Sequence, residues 1–325
     1  MEKNWDEKYK PNCINEIVGQ AHIIAKLKNW LARKTIPHLL LTGTAGVGKT
    51  STAVAFAKEL WGDDWKYNLH VFNASDDRGI GFIRGDVQTL VGVAPVDADF
   101  QIIFLDEADE LTNDAQGALR EIMQKHTDTT KFILACNFPH KIIKPIKDRC
   151  AVLRYSRLSV DDISKKLIEV CGKEGITYDD GVMPLLAKYG DGSLRKAIQG
   201  IETFIDVNNH IGYDLIHDDV KFLEVQDIRA LLKKAFSGDV DGYETQLFSL
   251  YYEGGFCVQE LLNSIITEIN AMRIDPSIKQ GLIIQTAKYD WRVSQGSNDL
   301  LQARCYLATL QGILNKTIPI NGYID

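Results

Sequence analysis

The stretch "HLLLTGTAGVGKTS", residues 38–51, limits the possible folds more than any other part of the chain. Five residues that read as a buried strand run into the pattern G-x-x-x-x-G-K-[ST], and apolar spacing over 49–61 then reads as a helix. Gly43, Gly46 and Gly48 let the loop backbone curl around phosphate oxygens. The loop residues Thr44, Ala45, Val47 and Ser51 fall among the candidate contacts with them. Lys49 reaches terminal phosphates, and the Thr50 hydroxyl is placed to hold magnesium. The helix begins at the loop, so its free N–H groups add to the anion site. A strand, a phosphate loop and a helix in that order call for a parallel sheet.

The rest of the first half agrees. Apolar runs at 69–73, 101–105, 131–136 and 151–155 read as further strands, and 80–92 and 112–126 read as helices between them. The fold class is therefore α/β, with a parallel sheet covered on both faces. From Ser159 onward the pattern is helical, with no convincing strand. Ser159 is placed as a helix N-cap and Gly175 as a stop. A polar stretch at 206–221 precedes four or five more amphipathic segments, among them 258–270 and 300–314. The chain of 325 residues thus divides into an α/β domain (1–157), a small helical domain (158–222) and an all-α C-terminal domain (223–325).

Composition excludes several classes. No stretch approaches the roughly 18 apolar residues of a membrane helix, and the charged N-terminus is not a secretory signal. The six cysteines contain no CxxC pair, so neither a zinc ribbon nor a disulfide framework is expected, and they read as reduced cysteines of a cytosolic protein. Cys136 and Cys150 read as small core residues. The formal net charge of −7 means that nucleic-acid binding needs a local patch or several chains acting together.

Three further stretches carry chemistry. "LDEADE" places Asp106 at a strand end to bind magnesium, directly or through water, and Glu107 next to it as a general base toward water. "FILACN" ends in Asn137, beside the strand carrying Asp106, where an amide can orient that water or meet a γ-phosphate. In "YGDGSLRKAIQ", Ser193 is a candidate cap and Arg195 falls in the first helical turn. From there Arg195 either sits in solvent or reaches from the helical domain to the γ-phosphate. The cofactors implied are ATP and Mg2+.

Taken with "WDEKYKP", "EIVGQ", "NASDDRGI" and "PIKDRC", these motifs resemble the small subunit of the replication factor C clamp loader, within the AAA+ ATPases. The resemblance runs nearly end to end, and its motifs are densest before residue 226. It implies a helical lid, a C-terminal collar, and a five-membered ATP-driven ring of large and small subunits. Such a ring opens a sliding clamp of PCNA type and places it on primer–template DNA. The location would be the cytoplasm in an archaeon and the nucleus in a eukaryote. The resemblance makes Asn137 and Arg195 the two sensors of the nucleotide. It adds Tyr9, Pro11, Val18 and Gly19 to the adenine pocket, and Arg78, Arg84, Thr112 and Asn113 as DNA-backbone contacts. Residues 87–95 become a clamp-facing segment, a role that core packing rivals. Arg149 matches an arginine finger that serves the neighbouring subunit in trans. Two departures stand out. Thr44-Ala45 and Val47 replace Pro-Pro and Thr in the phosphate loop, which removes backbone stiffness. Asp148 replaces a serine before Arg149, where it pairs with Arg149 or Lys147 or stays in solvent.

Other readings fit less well. A DEAD-box helicase needs a second ATPase-like domain. A branch-migration or origin-binding protein of the same class needs a winged helix with a β-hairpin after residue 226. A bacterial-type clamp loader needs a four-cysteine module, yet no cysteine lies between Cys13 and Cys136. The remaining alternative is a subunit that binds ATP as a switch without hydrolysing it, and Glu107 speaks against that.

Overall fold

A computed structural model describes residues 4–214, 216 and 225–314. Contacts divide the chain into two compact units, Met1–Ile216 and His217–Asp325.

The first unit is built on five parallel strands: β1 (His38–Thr42), β2 (Leu69–Asn73), β3 (Gln101–Asp106), β4 (Thr130–Cys136) and β5 (Cys150–Arg154). Their order across the sheet is β2-β3-β4-β1-β5. The burial pattern explains why each reads as it does. β1 is buried at every position and β3 at all but its last, as central strands covered on both faces must be. β2 and β5, at the edges, are only partly buried. Alternate residues feed two cores. Leu40, Ile103 and Leu134 face one side, with Ile83 and Leu119. Leu39, Leu41, Ile102 and Ile133 face the other, with Ile23 and Phe56.

α1 (Trp5–Lys8) and α2 (Ala21–Ala32) precede the sheet, and α3 (Lys49–Trp61) follows the phosphate loop. α4 (80–91) contains a π turn at Ile83–Val87, and α5 (Asn113–Lys125) is N-capped by Thr112, whose hydroxyl accepts the Ala115 N–H. The short α6 (Lys144–Lys147) leads into β5.

Further helices among the described residues are α7 (Val160–Glu174), α8 (Val182–Tyr189) and α9 (Leu194–Phe204). Ser159 caps α7 through the Asp162 N–H, and Gly175 ends it at φ 68°. Ser193 caps α9. One expectation fails here. Two-residue strands β6 (Thr177–Tyr178) and β7 (His210–Ile211) pair in parallel, although the sequence reads as purely helical. Two residues are too short to show alternation. Tertiary closure makes this pairing, helped by the Asp179 carboxylate, which accepts the Tyr213 N–H at 3.0 Å.

The second unit, as described, is helical throughout: α10 (Val225–Ser237), α11 (Val240–Phe248) with a π turn to Glu253, α12 (Val258–Ala271), α13 (Pro276–Ser294) and α14 (Asp299–Leu314). Leu231, Leu261, Ile265, Tyr306 and Leu310 lie in its core. The buried Tyr306 hydroxyl bonds Thr286 at 2.7 Å, and the Arg229 guanidinium donates to buried Glu268 at 2.7 Å. No helix among the described residues is long and apolar enough to cross a membrane.

Candidate active site

In an open α/β sheet, ligands bind at the carboxyl ends of the strands, where the order switches. Here the loops leaving β1, β3 and β4 meet at such a point. The loop after β1 needs glycine at two positions, because Gly46 (φ 76°) and Gly48 (φ 96°) are left-handed. No side chain caps α3, so its first N–H groups stay free for an anion.

Lys49 is buried. Its ammonium donates to the Gly43 carbonyl at 2.7 Å, the Thr44 carbonyl at 2.9 Å and Asn137 Oδ1 at 2.8 Å. Burial pushes its pKa down from the ordinary lysine value, while the charge of Asp106 pulls it back up. Thr50 Oγ1 donates to Asp106 Oδ2 at 2.5 Å, and Asp106 Oδ1 accepts the Glu107 N–H at 3.0 Å. Glu107 itself is left-handed (φ 51°, ψ 38°), a strained setting of the kind that gathers at functional sites. Asp109 accepts N–H groups from Asn137 and Phe138.

The helical part of the unit closes over this loop. The Leu194 N–H donates to the Gly46 carbonyl at 3.1 Å. A methyl group added at Gly46 would lie 1.9 Å from Ser193 Oγ, so only glycine permits this approach. Arg195 projects beside Asp6, at 3.9 Å, and is half exposed. On the other side, Tyr9 donates its hydroxyl to Glu174 at 2.5 Å, and Lys8 pairs with the same carboxylate. Burial and that carboxylate push the Tyr9 pKa up to about 12.

These groups enclose a cleft of about 300 Å³. Of the residues expected from sequence, Tyr9, Pro11, Val18, Ala45–Ser51, Asp106, Glu107, Asn137 and Arg195 line it. Gly43 and Thr44 stand behind Lys49 as carbonyl acceptors, and Gly19 packs against Leu158 instead of lining the cleft. Sequence reasoning missed Asp6, Glu16, Asn73 and Lys166. Asn73 ends β2 and was open to the strand-end argument used for Asn137. Lys166, paired with Glu169 at 2.9 Å, gave no local signal.

Arg149 does not line this cleft. It is exposed, donating to the Pro145 carbonyl at 2.9 Å and to Gln124 Oε1 at 3.2 Å. Among the described ion pairs none joins Asp148 to Arg149 or Lys147, and Asp148 is exposed, which leaves solvent as its setting. Cys136 sits in the core, as expected, while Cys150 is half-buried and packs against it; burial pushes their thiols up to about 11 and about 12, away from reactivity. Arg78, Arg84, Thr112 and Asn113 are all exposed. The Thr112 N–H bonds the Arg78 carbonyl at 3.1 Å, and Arg78 pairs with Glu110 at 3.6 Å. In the 87–95 segment, Val87 and Val91 are core residues and Val93 is exposed.

A parallel sheet with a phosphate loop, a strand-end Asp-Glu pair and a covering set of helices defines a P-loop ATPase of the AAA class. The ATPase family associated with various cellular activities (AAA) matches residues 39–158, and the Replication factor C C-terminal domain matches residues 224–309. A Replication factor C small subunit of Methanococcus maripaludis is 37% identical over 97% of this chain and 100% of its own length. That of Archaeoglobus fulgidus is 37% identical over 96% of this chain and 98% of its own. The chain belongs to the replication factor C small subunit family. Among solved structures, the Thermotoga maritima RuvB Holliday junction branch migration motor shares the fold, with a TM-score of 0.56 at 19% identity over 79% of this chain and 85% of that one.

Proposed function

We propose that the chain binds ATP with magnesium in this cleft and hydrolyses it to ADP and phosphate as one subunit of a clamp-loader ring. As a replication factor C small subunit it acts in sliding-clamp loading during DNA replication. One observation carries the hydrolytic reading: Lys49, Thr50, Asp106, Glu107, Asn137 and Arg195, drawn from three strand ends and α9, converge on a single cleft.

In this reading the loop amides and Lys49 hold the β- and γ-phosphates. Glu107 polarises the attacking water, and Asn137 orients it. Arg195, carried on α9, meets the γ-phosphate and couples nucleotide state to the position of the helices at 158–222. Thr50 and Asp106 present two hard oxygens 2.5 Å apart, a donor pair that fits magnesium, which neutralises phosphate charge when bound. Tyr9, Pro11 and Val18 form the base side, and Gly19 backs it from its place against Leu158. Arg149 serves the adjacent subunit's γ-phosphate.

The wider proposal keeps the division into nucleotide domain (1–157), lid (158–222) and collar (223–325). The collar holds a pentamer with the large subunit and further small subunits. Arg78, Arg84, Thr112 and Asn113 meet the backbone of primer–template DNA, and the 87–95 segment faces a PCNA-type clamp, with Val93 the exposed apolar residue there. The test is ATP turnover by the assembled complex with clamp and primed DNA. Lys49→Ala in every copy is expected to lower turnover by about 10²-fold or more. A rate like the wild type would end the proposal.

A further inference from the structure

We propose that Asp109 is a positioning residue for hydrolysis, its carboxylate locking the exit of β4 to the turn after β3 and thereby fixing Asn137 relative to Glu107. The proposal rests on the reading that Glu107 and Asn137 serve the reaction.

The backbone ladder between β3 and β4 runs to Leu105↔Leu134. Beyond that register the two chains diverge into loops, and those loops carry Glu107 and Asn137. Asp109 bridges the gap with its side chain. It is 5% exposed and lies in the single turn Ala108–Glu110. Each of its oxygens accepts the Asn137 N–H at 3.3 Å, and Oδ2 also accepts the Phe138 N–H at 2.9 Å. The turn that holds Asp109 is itself fixed. The Glu110 N–H donates to the Glu107 carbonyl at 2.8 Å, and the Ala74 N–H donates to the Asp106 carbonyl at 2.9 Å. Asn137 then accepts from Lys49. One chain of contacts therefore runs from the Glu107 turn through Asp109 and Asn137 to the phosphate-loop lysine.

The chemistry calls for a carboxylate. Two backbone donors need acceptors, and a buried donor left without one is destabilised by about 1–3 kcal/mol in general. An asparagine in the same place keeps one oxygen for the Phe138 N–H, but the Asn137 N–H, shared between both carboxylate oxygens, loses one acceptor and meets an NH2 donor instead. The hydrogen bonds of Asp109 act on backbone position, and its charge also reaches Lys49, whose pKa, lowered by burial, it raises in part.

The experiment measures ATP turnover of the assembled complex, the KM for ATP, binding of a fluorescent ATP analogue and thermal midpoint. Asp109→Asn is expected to lower kcat about tenfold while KM and analogue affinity stay within about twofold. Asp109→Ser, whose shorter side chain withdraws the acceptors from both N–H groups, is expected to lower kcat at least as far. With Asn137→Ala already present, adding Asp109→Asn is expected to lower kcat by less than about twofold, because residues acting as one unit do not add. Wild-type kcat in the folded variants would overturn the proposal. So would kcat and affinity falling in parallel, a full independent loss in the double variant, or failure of both single variants to fold. Wild-type turnover by Asn137→Ala alone would instead sink the parent reading of Asn137.

Discussion

Lys49 is an ammonium held out of water by neutral acceptors: two loop carbonyls and one amide oxygen. Burial lowers its pKa from the ordinary lysine value, and the charge of Asp106 offsets part of that. Substitution by alanine removes the cation and leaves the Asn137 oxygen without that donor. Arg149 shows a different preparation. Its guanidinium is held by Gln124 and the Pro145 carbonyl and lies outside the lining of the cleft. Gly46 is the residue where loop and lid touch. Gly46→Ala adds a methyl group 1.9 Å from Ser193 Oγ at a left-handed position. Affinity for a fluorescent ATP analogue is expected to fall about tenfold, equal to 1.4 kcal/mol. Adding Ser193→Gly, which removes the obstructing side chain and weakens the cap by only a few tenths of a kcal/mol, is expected to recover part of it. Unchanged affinity in the single variant would show that the contact is irrelevant to the nucleotide.

At the scale of elements, legibility in the sequence followed burial. β1, β3 and β4 announced themselves because strands covered on both faces must be apolar throughout. The Ser159 and Ser193 caps were readable because capping is local chemistry. The candidate cleft was legible where a motif stood next to its own strand. It was not legible where partners lie far apart in sequence. Tyr9 and Glu174 are separated by 165 positions, and nothing local to either predicts their bond. The same holds for Asp109, which reads as one more acidic letter of "LDEADE" until the fold brings it to the N–H groups at the β4 exit. β1 also carries an element-level liability. His38 is buried, and its Nδ1 accepts the Phe132 N–H at 3.0 Å. Burial holds its pKa below the usual histidine value near 6.5. The unfolded chain therefore binds the proton more readily than the folded one, so stability is full above about pH 6.5 and declines as pH falls from there toward the lowered folded value. The thermal midpoint of wild type is expected to drop more between pH 7.5 and pH 5.5 than that of His38→Leu, which is less stable overall and flatter with pH. Parallel profiles would remove His38 as the cause.

At the scale of the whole molecule, a net charge of −7 sets the problem of DNA contact. Four exposed candidates on one chain are few, and Arg78 already pairs with Glu110. The isolated chain is therefore expected to bind primed DNA weakly and the assembled ring well, with affinity falling steeply as salt rises. Tight, salt-insensitive binding by the isolated chain would contradict this. Assembly also decides Arg149. Arg149→Ala is expected to lower turnover at the adjacent subunit's site, by as much as the roughly 10³–10⁵ seen for such contacts in related phosphate hydrolysis, while its own cleft still binds ATP. Mixed rings in which only one kind of subunit carries the change separate these two effects. Removal of residues 226–325 is expected to disperse the ring, which mass measurement of the native complex reads directly. The central claim is that this cleft hydrolyses ATP and does more than bind it. The direct test is ATP turnover by the assembled complex, with clamp and primed DNA, when every copy of this chain carries Glu107→Gln. The account predicts analogue binding within about twofold of wild type and turnover lowered about 10²-fold or more. Unchanged turnover would contradict it and leave the chain as a nucleotide-binding switch.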